Sequence, residues 1–278
     1  MIIRALDLSF SYGDSVTALQ NISFEISAGE CLALTGHNGS GKSTLVKHLN
    51  GLLKPAIGEV RIDGNNTTLT DSAELAGHVA LLFQNPDDQI CKRTVWDEVA
   101  FGPKNLKYPK ERIERLVKEA LDLFELLPLK DKNPFDFGYS ERKRIAMASI
   151  VAMDTAVLVF DEPTAGLDPY EISLLIVALK KLQSNNKTII IISHDMDFIA
   201  ENISRAISLS DGKKVFDGEV RDLFKNQTLM TDCGLQEPQI VKISNACTLQ
   251  SVALSPHECA FELEKKFQLK TVPKPRVL

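Results

Sequence analysis

The run Cys31-Leu32-Ala33-Leu34-Thr35-Gly36-His37-Asn38-Gly39-Ser40-Gly41-Lys42-Ser43-Thr44 decides the architecture of this 278-residue chain. Cys31–Thr35 is short and apolar, as a buried strand requires. A glycine-rich turn follows, then a helical run from Lys42 to about Asn50. Gly36–Ser43 matches the phosphate-loop pattern GxxxxGK[ST], in the strand–loop–helix context that gives the pattern meaning. Glycines let the backbone curl until successive N–H groups converge on an anion. The helix N-terminus adds the positive end of its dipole. On this reading Gly36, His37, Asn38, Gly39, Ser40, Gly41, Lys42, Ser43 and Thr44 bind nucleotide, with Lys42 on the β- and γ-phosphates and the Ser43 hydroxyl on Mg²⁺. A phosphate loop by itself leaves kinases, GTPases, helicases and transport ATPases open.

Farther along, Val157-Leu158-Val159-Phe160-Asp161-Glu162 delivers two carboxylates at the end of an apolar strand, where ligands sit in open α/β sheets. Asp161 is placed to hold Mg²⁺ through water, and Glu162 to orient and polarise an attacking water. Another apolar strand, Thr188–Ser193, ends at His194. A helical run over Glu171–Leu182 joins these strands, so the unit predicts a parallel sheet with helices on its faces. Strand-like segments at Ile2–Phe10, Ile22–Ile26 and His78–Phe83 are punctuated by the turns Tyr12-Gly13-Asp14 and Ala28-Gly29-Glu30. Between Gln84 and Thr155 the pattern becomes helical, with amphipathic spacing over Pro109–Leu126 and a second helix over Arg142–Met153.

Composition narrows the class. Hydrophobic residues make up 44% and charged residues 25%, and the net charge is −5. No apolar run reaches the roughly 18 residues that cross a bilayer, and Met1–Arg4 lacks the features of a signal peptide. Any membrane association is therefore expected to come through a partner. No basic block is present, which argues against nucleic acid as the ligand. The five cysteines form no CxxC pair and predict reduced thiols, and His257 with Cys259 supplies too few ligands for zinc.

The order of these motifs, with Pro163-Thr164-Ala165-Gly166-Leu167-Asp168-Pro169 after the carboxylates and Gln84 after a strand, resembles the ATP-binding cassette (ABC) ATPases over about residues 1–225. The resemblance implies an α/β P-loop core over 1–230 with an antiparallel N-terminal β part, a helical insert near 86–154, and a small C-terminal extension over 231–278. It assigns Tyr12 to stacking on adenine, a position that an exposed turn residue would equally fill. It also assigns Gln84 to the Q-loop and Mg²⁺, Asp168 to the D-loop, and His194 to a switch on the γ-phosphate, beside Glu162 as the catalytic base. Phe83-Gln84-Asn85-Pro86-Asp87-Asp88-Gln89, the run Thr94–Asn105 beginning Thr94-Val95-Trp96-Asp97-Glu98, and Gly234-Leu235-Gln236-Glu237-Pro238-Gln239-Ile240 are similar to the ATPase subunits of energy-coupling factor (ECF) importers of vitamins or transition-metal ions. That likeness implies a second ABC ATPase, a transmembrane coupling subunit and a substrate-binding membrane subunit as partners. It places the chain peripherally on the cytoplasmic side of the cell membrane, with Asp87 and Asp88 facing basic residues of the coupling subunit. An ABC importer of another class is the first alternative, and a soluble non-transport ABC protein the second.

One motif departs from the family. Counting back from Arg144, the slots of the LSGGQ signature hold Phe137-Gly138-Tyr139-Ser140-Glu141. Gly138 stands where the family has serine, and Tyr139 and Ser140 stand where it has glycines. Because each ATP in the family's head-to-tail dimer meets the other subunit's signature, Gly138, Tyr139, Ser140 and Glu141 are expected to make a degenerate trans site, with tyrosine crowding the phosphate and restricting the backbone. Ser140 standing in for the lost hydroxyl is the alternative. An intact phosphate loop beside a degraded signature favours a heterodimer.

Overall fold

The computed structural model describes residues 2–13, 16–249 and 251–267. Asp14 of the first turn and residues 268–278 of the extension lie outside the described residues. The antiparallel sheet has the order β2-β1-β4-β5, built from β1 (Ile3–Tyr12), β2 (Val16–Ile26), β4 (Ile57–Ile62) and β5 (Asn65–Asn66). The second sheet has the order β10-β9-β3-β8-β7-β6. Its strands are β3 (Cys31–Thr35), β6 (Val79–Leu82), β7 (Val157–Asp161), β8 (Thr188–Ile192), β9 (Arg205–Ser210) and β10 (Lys213–Glu219). All neighbours in it are parallel except β9 and β10.

The central strands read as continuous apolar runs because both of their faces are buried. Ala33, Leu158, Phe160, Ile189 and Ile191 pack into a core shared with the helical insert. Their alternates Leu32, Leu34, Val157, Val159, Ile190 and Ile192 join a second core with the antiparallel sheet and Leu45, Val46 and Leu49 of the Lys42–Leu49 helix. The parallel sheet is thus the middle layer. The insert is three helices, Val95–Asn105, Lys110–Leu123 and Tyr139–Ala152, whose buried faces meet at Val99, Val117, Leu121, Ile145 and Ala148.

Three differences from the sequence expectations have physical causes. β2 begins at Val16 rather than Ile22, because its first half alternates buried Leu19 with exposed Thr17 and Gln20 and so lacks an apolar run. β9 and β10 were not anticipated. β9 carries Arg205 and Ser208 within its apolar core, and Ser208 is satisfied by the Thr35 hydroxyl at 2.8 Å. The helix expected to start at Arg142 starts at Tyr139, so Tyr139, Ser140 and Glu141 form its first turn after Gly138 at the cap.

The described part of the extension packs on the main core. Ile240, Val241, Ala253 and Cys259 belong to the same buried cluster as the insert, and Glu258 pairs with Arg221 of the core at 2.8 Å. The five cysteines are free thiols. Among the described residues no helix is long and apolar enough to cross a membrane.

Candidate active site: a phosphate cradle at the sheet edge

The parallel register aligns Leu34 with Ile192 and Ile192 with Asp161, so β3, β7 and β8 end together along one edge. Beyond that edge lies a cleft of about 400 Å³. Tyr12, Asn38, Gly39, Gly41, Lys42, Ser43, Thr44, Gln84, Asp161, Glu162 and His194 all line it. Residues spread over more than 180 positions of sequence therefore meet in one cleft.

The loop is held by backbone on both sides. A Cβ at Gly36, where φ is +139°, would stand 2.2 Å from the Leu209 carbonyl oxygen. One at Gly41, where φ is +105°, would stand 2.7 Å from that of Ala18. Glycine is needed at both positions for space as well as for φ. The Gly212 N–H donates to the Ser40 carbonyl at 3.1 Å, which ties the turn between β9 and β10 to the loop. The Lys42 ammonium folds back over the loop and donates to the Gly36 carbonyl at 2.6 Å and the His37 carbonyl at 2.9 Å. Burial lowers its pKa, against the pull of Glu162 and Asp161. Tyr12 projects from the end of β1, in hydroxyl contact with Thr44 at 3.3 Å and edge-on to Phe10. Its exposed ring flanks the cleft as a stacking partner must.

On the opposite wall, the Glu162 N–H donates to the Ile192 carbonyl at 2.8 Å, and its backbone is held at φ +48°, in the left-handed region. A non-glycine residue pays for that conformation only where surrounding structure enforces it. The Glu162 carboxylate accepts the His194 backbone N–H on Oε2 at 3.3 Å, and its Oε1 lies 3.6 Å from His194 Nε2. Oε1 is buried with no hydrogen-bond partner. Burial raises the Glu162 pKa, and burial together with the Glu162 charge raises that of Asp161. A carboxylate with a raised pKa and one open lone pair is a better proton acceptor than a solvated one. Burial and the Lys42 charge lower the pKa of His194, which favours the neutral imidazole.

Other residues singled out in the sequence lie elsewhere. Asp168 caps the Pro169–Ser184 helix, in a box where its carboxylate accepts the Glu171 N–H at 2.8 Å. Gly138, Tyr139, Ser140 and Glu141 do not line the chain's own cleft. The Tyr139 ring is folded against Gly166, where an added Cβ would stand 2.6 Å from ring carbons, and the backbone at Tyr139 is ordinary helix. The expected backbone restriction does not arise, because helix rather than positive φ is what this position adopts. Asp87 pairs within the chain with Arg142 at 2.8 Å. Sequence reasoning missed Thr17, Ala18 and Ile192 in the cleft wall and, behind it, the buried Lys143. The last had a signal: residues 143, 146, 147 and 150 form one helical stripe that is apolar except at its lysine.

Relatives share this arrangement of elements. The ABC transporter family model matches residues 19–165. The energy-coupling factor transporter ATP-binding protein EcfA of Methanocaldococcus jannaschii is 39% identical over 87% of this chain and 88% of its own length. The solved cbiO1 of Clostridium perfringens, described as part of the ABC transporter complex cbiONQ, superposes with a TM-score of 0.75 at 31% identity, over 89% of this chain and 99% of that one. The cassette MJ0796, solved as a dimer in a post-hydrolysis state bound to ADP and Pi, gives a TM-score of 0.71 at 27% identity, over 79% and 99%. With its phosphate loop, carboxylate strand and histidine around one cleft, the chain belongs to the ABC transporter family and is one of its ATPases.

Proposed function

We propose that this chain powers an ECF-type importer of a vitamin or transition-metal ion from the cytoplasmic side of the cell membrane. It does so as one half of an ATPase heterodimer joined to a transmembrane coupling subunit and a substrate-binding membrane subunit. The observation that carries this reading is the contrast between a complete nucleotide cleft and a signature whose tyrosine is folded onto its own chain. The likeness to EcfA and cbiO1 supports the transporter class.

Within the cleft, Lys42 and the loop amides bind the phosphates, and Tyr12 stacks on the adenine. The donor set suits Mg²⁺ held mainly through phosphate and water: Ser43, Gln84 and Asp161 border the cleft, whereas no three His, Cys, Asp or Glu side chains among the described residues could hold a metal alone. When bound, Mg²⁺ supplies charge neutralisation at the phosphate oxygens. Glu162 Oε1 accepts a proton from the attacking water, while His194 orients Glu162 and meets the γ-phosphate.

Mixing experiments test the heterodimer. Alone, the chain is expected to bind ATP but turn it over slowly, and a homologous cassette with an intact signature should raise turnover sharply. Restoring the signature here (Gly138→Ser, Tyr139→Gly, Ser140→Gly) should then accelerate the partner's site. With a partner whose phosphate-loop lysine is mutated, that gain should vanish; its persistence would sink the cross-subunit reading. Equal turnover of the lone wild-type chain and the mixed pair would rule out the heterodimer.

A further inference from the structure

The Tyr139–Ala152 helix aims two side chains, one turn apart on one face, at a single acceptor. The Gln84 carbonyl accepts the Lys143 ammonium at 2.5 Å and the Tyr139 hydroxyl at 3.3 Å. Lys143 is fully buried, and it also reaches the Asp161 carbonyl at 3.5 Å. Burying an ammonium with two carbonyl partners is costly, and an apolar residue would fill the same space without that cost. What Lys143 holds is Gln84, the second residue of the loop after β6, which lines the ATP cleft. The same helix grips this loop twice more: Arg142 pairs with Asp87 at 2.8 Å, and the Ala146 carbonyl accepts the Gln89 amide at 3.1 Å. Tyr139 meanwhile rests on Gly166, in the segment that links Glu162 to Asp168.

We propose that Tyr139 and Lys143 are positioning residues that clamp the Gln84 carbonyl against the end of β7, so that the signature helix of this chain sets the geometry of its own ATP cleft as well as facing its partner's. The tyrosine in the glycine slot then has a function in cis. A shift of this helix is transmitted to Gln84 through the two donors. The inference rests on Gln84 serving the Mg²⁺ of the cleft, as in the function proposed above.

Amide hydrogen exchange on the nucleotide-free full chain reads the clamp without any turnover. The turn amides of Asp88, Gln89 and Ile90, bonded to the Asn85 and Pro86 carbonyls, report on the loop. Lys143→Met is expected to speed their exchange about ten-fold while the β8 amides stay as in wild type. Tyr139→Phe, which keeps the ring on Gly166 and removes only the hydroxyl, should speed them about two-fold. Lys143→Gln, which can still donate to a carbonyl, should restore part of the protection. In the assembled ATPase, Lys143→Met should lower kcat about ten-fold with the KM for ATP within two-fold. Unchanged exchange at 88–90, or equal acceleration in β8, would overturn the clamp. Local acceleration with an unchanged kcat would overturn instead the part given to Gln84 in the cleft, leaving the ATPase assignment intact.

Discussion

Glu162→Gln is expected to cut ATP hydrolysis in the assembled ATPase by roughly 10²–10⁴-fold, the range that a positioned general base contributes, while ATP binding persists. The reason is geometric. Glu162 ends β7 with Oε2 fixed by the His194 N–H and Oε1 buried without a partner, so one oxygen is oriented and the other is open to a water. Glutamine keeps the shape but cannot accept the proton. The same substitution should raise the thermal stability of the nucleotide-free chain. Burial raises the folded-state pKa of Glu162 above its unfolded value. For such a carboxylate, ionisation costs stability as pH rises from the unfolded-state pKa through the raised folded-state one, and the cost is complete above the latter. A neutral amide removes it. Measuring kcat, ATP affinity by fluorescence titration and Tm on one preparation checks all three. Near-wild-type turnover with the proper partner would remove Glu162 from its role.

Lys42→Ala is expected to lose nucleotide binding itself. Cutting one member of a buried charge pair costs about 2–5 kcal/mol, or roughly 30- to 3,000-fold in Kd. The ammonium donates to the Gly36 and His37 carbonyls, and burial lowers its pKa. Folding therefore disfavours the charged lysine, and its removal should leave Tm unchanged or higher. Weak ATP binding with undiminished Tm is the expected pair of results from titration and thermal melts. A falling Tm with intact binding would mean that Lys42 serves the fold and not the phosphates.

Several parts of this protein are legible directly in the chain. Gly36–Ser43 needs only local chemistry: glycine for positive φ, a lysine, a hydroxyl, and a helix that begins at Lys42. Val157–Glu162 and Thr188–His194 read as buried strands ending in reactive side chains because they are apolar on both faces. Each of these signals lies within a few residues of sequence, and local periodicity carries it.

What local pattern could not carry is which strands are neighbours and where side chains turn. β3 pairs with β8 and β9 and never touches β7, so the distance between the phosphate loop and Glu162 is set by an intervening strand from 150 positions later. The Ala18 backbone that forbids a Cβ at Gly41 comes from the half of β2 with no apolar run. Phe137–Glu141 spells a damaged motif, yet only packing shows that Tyr139 lies on Gly166 and that Lys143 is buried against the Gln84 and Asp161 carbonyls. Asp87 meets Arg142 only through folding. In each case the deciding partner is distant in sequence. The cost or benefit of a buried charge or a crowded ring depends on that partner, which the chain brings near only by folding.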